Sequence, residues 1–147
     1  MKRVLVTGGA GYIGSHTVRH LADHGFEPIV IDDLSTGHRS NVTCPFVEAK
    51  LSDRARVDAA LKEHRIEAVV HFAASAYVGE SVTNPSKYFQ NNVVSTLVLL
   101  DAMHAAGVKE IVFSSTCATY GIPAEVPITE RTPQLPVNPY GESKLFV

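Results

Sequence analysis

A chain of 147 residues, 45% of them apolar, is long enough and apolar enough to bury one core, and a single domain over residues 1–147 is the expectation. A formal charge of −2 gives no basic excess for a nucleic-acid backbone or an anionic membrane surface, so the composition argues against both partners and for a small-molecule ligand. Cys44, Cys117 and the seven histidines show no metal-ligand or Cys-x-x-Cys spacing, so no metal is expected and the thiols are expected free in a reducing cytoplasm.

Residues 4–7 are an apolar run that breaks at Gly8, far shorter than a signal-peptide core or a membrane span, and they read as the first strand. The glycines that follow satisfy the dinucleotide fingerprint in two registers. Gly9, Gly11 and Gly14 form G-x-G-x-x-G, and Gly8, Gly11 and Gly14 sit three apart. An early glycine allows the turn out of the strand, Gly11 admits a pyrophosphate to the backbone, and Gly14 lets the next helix lie close on the strand. That helix covers 12–24, with Ile13, Thr17, Val18, Leu21 and Ala22 on its apolar stripe and Gly25 as its stop. A second strand at 28–31 leads to Asp32, about 20 residues past the glycines, where the fingerprint places an acid. There a carboxylate accepts hydrogen bonds from the adenosine ribose and repels a 2′-phosphate, which favours NAD over NADP.

Residues 32–37 form a polar turn-rich loop, 44–48 a short third strand, 53–64 a helix capped by Ser52, and 68–72 the fourth strand. The longest helix starts from the cap Asn84 with Pro85 in its first turn and runs to about residue 106, ahead of Gly107. Its stretch 93–103 is apolar enough to be nearly buried. A fifth strand follows at 110–115. The proline-rich stretch 121–139 is expected to be irregular, and a last helix begins near Pro139 and is still in progress at Val147. The alternation predicts an α/β fold with a doubly wound parallel sheet, Rossmann-like, whose ligand lies at the carboxyl edge of the strands.

Tyr140 and Lys144 are four apart, so on a helix they face the same way, in the Tyr-x-x-x-Lys pattern of a tyrosine general base. A phenol with an ordinary pKa near 10 needs neighbouring positive charge to act as a base, and Lys144 and an oxidised nicotinamide both supply it. In isolation such a pair reads as a surface pair; behind a dinucleotide fold and Ser114-Ser115-Thr116 it reads as chemistry. Thr116, at the end of the fifth strand, has a hydroxyl to bond a substrate oxygen or relay its proton, with a bond to its own backbone as the plainer alternative. Cys117 is expected to be a packed, inert thiol, and His71 a satisfied core histidine.

Thr7 to His16, Phe72-Ala73-Ala74, Val78-Gly79-Glu80-Ser81, Asn91-Asn92-Val93, Ser114-Ser115-Thr116, Tyr120-Gly121 and Tyr140-Gly141-Glu142-Ser143-Lys144 together resemble the extended short-chain dehydrogenase/reductases. Among these the chain is most similar to the UDP-glucose 4-epimerases, over essentially its whole length. The resemblance implies that Tyr12 and Ile13 lie against the NAD pyrophosphate with Gly8, Gly11 and Gly14. It puts Asp32, Asp33, Leu34, Ser35, Thr36 and Gly37 around the adenosine ribose, and Lys50 and Leu51 at the adenine. Phe72, Ala73, Ala74, Ser75 and Ala76 line the middle of the cofactor, with Asn91 nearby. Lys144 holds the nicotinamide ribose, Tyr140 is the base and Thr116 its partner. Lys50 departs from the pattern, which has an aspartate there for the adenine amino group; a lysine offers no acceptor.

The implied reaction is NAD-dependent epimerisation at C4 of a UDP-hexose through a transient 4-keto sugar. UDP-xylose and UDP-galacturonate 4-epimerases and a non-catalytic NAD-binding module stay open. A 4,6-dehydratase is disfavoured, because Cys117 and Ala118 stand where those enzymes carry an Asp-Glu pair. The resembling enzymes are longer, so this chain is expected to be an incomplete dinucleotide-binding domain, truncated before the last strands of the sheet and without the substrate domain, and inactive by itself. A homodimer is among the assemblies the resemblance allows for the longer enzyme.

Overall fold

A computed structural model describes residues 1–147. The chain falls into two compact units. Unit 1 comprises residues 1–73 and 97–114; unit 2 comprises 74–96 and 115–147.

Unit 1 is built on five parallel strands, β1 (Arg3–Thr7), β2 (Glu27–Asp32), β3 (Phe46–Glu48), β4 (Ala68–His71) and β5 (Glu110–Phe113), in the order β3-β2-β1-β4-β5. β1 is central and alternates. Leu5 joins Ile29, Ile31, Val57, Leu61, Val69, Leu99 and Met103 in one cluster, which takes in helices α2 (Arg54–Glu63) and α5 (Ser95–Ala106). Val4 and Val6 join Val30 and Val18 in the other, on the side of α1 (Tyr12–Asp23). Burial on both faces is what a parallel sheet wound by crossover helices requires, and this is the doubly wound arrangement expected from the sequence. His71 is buried, its Nδ1 2.6 Å from Thr7 Oγ1 and its ring stacked on Phe113, so it is a satisfied core histidine.

Several local expectations are corrected. The cap of α2 is Asp53, which accepts from the Arg56 amide, and not Ser52. β5 stops at Phe113 and is largely exposed, although Ser114 still donates its amide to His71 O. Val94 and Leu97 are exposed, so residues 93–103 present only one buried side.

Unit 2 contains α3 (Val78–Thr83), which the sequence reading did not anticipate, α4 (Pro85–Tyr88), a π-helical turn (Phe89–Val94) and the first two residues of α5. Asn84 caps the long helical stretch as expected, accepting from the Lys87 amide. The π turn breaks that stretch where a continuous α-helix was expected. A 3₁₀ turn (Cys117–Tyr120) and α6 (Pro139–Phe146) complete the unit, joined by irregular chain as expected from the prolines. Thr119 is buried, donating its hydroxyl to Thr116 O and accepting from Gln134 Nε2, which ties that irregular chain to the turn. No helix of the structure is long and apolar enough to cross a membrane.

At the start of α1, a Cβ placed on Gly14 runs into the Gly8 carbonyl oxygen and lies 2.8 Å from Gly9 Cα. Helix propensity alone gives Gly14→Ala about 1 kcal/mol of added stability. The contact predicts the opposite sign: Gly14→Ala lowers the urea midpoint of unfolding, and a raised midpoint contradicts the close approach.

Candidate active site

The carboxyl edge of β1 and β2 builds an anion cradle in unit 1. Gly8 leaves the strand at φ +71°, donating its amide to Ile31 O at 2.9 Å, and a Cβ there would lie 2.7 Å from the Ala73 nitrogen. Gly11 precedes α1 as its N-cap and contributes no side-chain hydrogen bond, so the open N–H groups and positive dipole end of a twelve-residue helix face outward. A Cβ on Gly11 meets only Gly8 O, at 3.3 Å, and would otherwise fill the space in front of those amides. Tyr12 and Ile13 stand exposed beside it, 81% and 61%, as large apolar side chains that a ligand lying on the helix start would cover. This is the arrangement that receives a phosphate group.

Asp32 closes the cradle from the end of β2. Its Oδ2 accepts from the Ala10 amide at 3.0 Å and its Oδ1 from the Leu34 amide at 2.8 Å. A carboxylate has about four acceptor positions, so two are left for the two hydroxyls of a ribose. The loop beyond is stitched to the same glycine turn: His38 donates its amide to Ala10 O at 3.0 Å, and Gly37 lies so close to Ala10 that a Cβ would approach it to 2.8 Å. Leu34 adopts φ +57°, a conformation costly for a branched side chain, and its bond to Asp32 holds it there. Asp33 accepts from the Ser35 amide; Ser35 and Thr36 are exposed. Lys50 is exposed, whereas the side chain of Leu51 is committed to the core.

In unit 2, α6 carries Tyr140 and Lys144 one turn apart. The helix starts from Asn138, whose Oδ1 accepts from the Gly141 amide at 2.8 Å, with Pro139 in its first turn. Gly141 allows α6 to rest on the 3₁₀ turn, since a Cβ there would stand 2.5 Å from Ala118 O. Lys144 is buried, and desolvation lowers its pKa from the ordinary 10.5 to about 8. Thr116 lies past the strand end as the cap of the 3₁₀ turn, its Oγ1 accepting from the Ala118 amide at 3.2 Å. The plainer backbone bond is therefore made, and it uses a lone pair while leaving the hydroxyl proton to give. Cys117 is exposed, not packed as expected: it is the first residue of the 3₁₀ turn, whose buried residue is Thr119.

The sequence reading missed the side chains that hold α6. Asn92, buried in the π turn, donates to Ser143 Oγ at 2.9 Å, and Ser143 donates to Tyr140 O at 2.8 Å. Asn92 also pairs with both backbone groups of Ser75, accepting from its amide and donating to its carbonyl. The expected Asn91 is more peripheral, reaching Ser75 Oγ and Asn92 Oδ1 through its own amide. The available signal was the polar stretch Gln90-Asn91-Asn92 interrupting the helical stretch just before the apolar run from Val93. Phe72 and Ala73 belong to unit 1 and Ala74, Ser75 and Ala76 to unit 2, so the structure describes the two parts of that segment separately. No group of three or more His, Cys, Asp or Glu side chains is arranged to hold a metal ion.

Comparison with known proteins agrees with this geometry. The profile of the NAD dependent epimerase/dehydratase family matches residues 4–147. The UDP-glucose 4-epimerase of Rhizobium leguminosarum bv. trifolii is 53% identical over 145 residues, covering 98% of this chain and 44% of that protein. The crystal structure of UDP-glucose 4-epimerase from Brucella ovis in complex with NAD superposes with a TM-score of 0.97 at 52% identity, over 99% of this chain and 45% of that one. The UDP-Glc/GlcNAc 4-epimerase of Campylobacter jejuni superposes with a TM-score of 0.95 at 42% identity, over 99% and 46%. The chain thus spans less than half the length of the relatives it matches.

The lowered pKa of Lys144 makes stability depend on pH. The native state sheds its proton near pH 8 and the unfolded state near 10.5, so the unfolded state binds more protons in between and stability rises with pH across that window. The benefit is full above 10.5 and is lost as pH falls through 8. Urea midpoints from pH 7.5 to 10.5 should therefore climb more steeply in the parent than in Lys144→Met; parallel curves contradict the burial of a titrating ammonium.

Proposed function

The chain belongs to the NAD dependent epimerase/dehydratase family, and from that membership we propose that the whole protein inverts C4 of a UDP-hexose, interconverting UDP-glucose and UDP-galactose. The observation that carries this reading is Lys144, buried with a pKa of about 8 one turn from Tyr140 on a helix fixed at both its cap and its middle. The names of the relatives support the substrate class.

NAD fits the residues present: the uncapped start of α1 and the space a Gly11 Cβ would fill suit a pyrophosphate, and the spare lone pairs of Asp32 suit the adenosine ribose. Bound there, NAD would supply the acceptor and donor for the hydride of the sugar's C4. Tyr140, as phenolate, removes the proton from the O4 hydroxyl, so the carbonyl forms without an alkoxide left exposed. One turn along the same helix, Lys144 is mostly an ammonium at pH 7, below its pKa of about 8. By family membership, Lys144 is the residue that would hold the nicotinamide ribose of the cofactor. Thr116, with its lone pair already on the Ala118 amide, donates its proton to the sugar oxygen and holds it toward Tyr140. The 4-keto sugar turns over, and Tyr140 gives the proton back to O4 when the other face of C4 is reduced. The grip on uridine and its phosphates is proposed for the whole protein; the chain spans 44% of the length of the Rhizobium leguminosarum relative.

Two measurements on the full-length protein test this. Calorimetry should give NAD an affinity at least about tenfold above that of NADP, about 1.4 kcal/mol, and Asp32→Ala should narrow the gap; equal affinities in the parent remove the role of Asp32. Tyr140→Phe should retain NAD while kcat for UDP-galactose falls by about a hundredfold or more, and near-normal turnover would assign the proton to another group.

A further inference from the structure

A second tyrosine lies against Tyr140 and is not used by the mechanism above. Tyr88, the last residue of α4, is fully buried, and its ring meets that of Tyr140 edge to face, with centroids 6.3 Å apart and planes at 78°. Such pairs are attractive beyond the area they bury and prefer this geometry. The Tyr88 ring is itself clamped at its far end. Its hydroxyl oxygen accepts from the Tyr77 amide at 3.1 Å, and its single proton lies between Tyr77 O at 2.6 Å and Glu80 Oε2 at 2.8 Å. The other oxygen of Glu80 receives Lys87 Nζ at 2.6 Å.

Resting on the assignment of Tyr140 as the base, we propose that Tyr88 is a positioning residue: its anchored ring is the wall that confines the Tyr140 phenol to one rotamer. The chemistry separates the two phenols. Burial first, and then the hydrogen bond to Glu80, push the Tyr88 hydroxyl up to about 12, so it stays neutral and does not compete for the substrate proton. The Glu80 carboxyl, held below its ordinary range by bonds from Lys87 and Tyr88, stays an acceptor throughout the neutral range. Tyr88 thus supplies a rigid, uncharged surface, and α3 and α4 supply the anchor. A phenol that swings off its line by about 1 Å loses roughly a hundredfold in proton transfer, which is the loss this contact prevents.

The test uses the full-length protein with Tyr88→Leu, which removes the ring, and Tyr88→Phe, which keeps the ring and loses only its anchor. Tyr88→Leu should lower kcat by about tenfold or more with KM for UDP-galactose and bound NAD unchanged, and Tyr88→Phe should recover most of that loss. A readout independent of turnover is the 13Cζ resonance of Tyr140 in tyrosine-labelled protein, identified by its disappearance in Tyr140→Phe. It should be a single line in the parent and Tyr88→Phe, and shifted or broadened in Tyr88→Leu as the phenol samples further rotamers. Unchanged kcat with an unmoved resonance in Tyr88→Leu overturns the proposal. So does a loss of NAD, KM and folding together in both variants, which marks a merely structural residue. Failure of the underlying reading has its own signature: Tyr140→Phe turning over normally, whatever the Tyr88 variants do, overturns both.

Discussion

The carboxylate of Asp32 on the amide of Ala10 is the bond on which the glycine turn of unit 1 depends. It ties the end of β2 to the middle of the glycine turn that leaves β1, and two neighbouring strands thereby present one rigid edge. The turn could not supply this by itself, because glycines that admit a phosphate also leave the backbone free to move. Asp32 removes that freedom from one side, and the amide of His38 on Ala10 O removes it from the other. The same carboxylate holds Leu34 in a left-handed conformation, so the loop expected around the ribose is shaped by the group expected to bind the ribose. The cofactor selectivity proposed for Asp32 and the order of the loop beside it would then be one device.

The groups proposed to move protons are held by a different logic. An eight-residue helix is too short to be stable in isolation, and α6 owes its order to contacts made along its length. Asn138 satisfies its first turn, Gly141 lets it settle on the 3₁₀ turn that Thr116 caps, and Asn92 reaches Tyr140 O through Ser143. Asn92 lies in the π turn at Phe89–Val94, a feature that recurs at functional sites. The price of this arrangement is a buried ammonium at Lys144, whose lowered pKa still leaves it charged at neutral pH.

Much of this was legible in the sequence, and the boundary between what was and what was not is physical. The fingerprint and Asp32 are encoded by spacing across one strand-helix-strand unit, and the pair Tyr140 and Lys144 by spacing along one helix. The doubly wound parallel sheet follows from the alternation of strands and helices. The π turn does not announce itself, because one extra residue in a helical turn leaves the apolar period nearly unchanged. α3 is six residues long, too short for a period to emerge. Ser52 and Asp53 are both good caps, and only the first turn itself selects Asp53. The exposure of Cys117 and the roles of Tyr88 and Asn92 arise from contacts between segments distant in sequence. Asn138 followed by Pro139, by contrast, is a recognisable helix start that the sequence reading could have used.

The central claim is that these residues serve a reaction in which Tyr140 handles the oxygen-bound proton and never the hydrogen on carbon. The direct measurement is the fate of deuterium at C4 of UDP-galactose when the full-length protein converts it to UDP-glucose in ordinary water. Product that keeps the deuterium at C4 is the predicted result, since that hydrogen leaves and returns as hydride without meeting solvent. Product that has exchanged it for protium would mean that a base removes the C4 hydrogen as a proton, and would contradict the account.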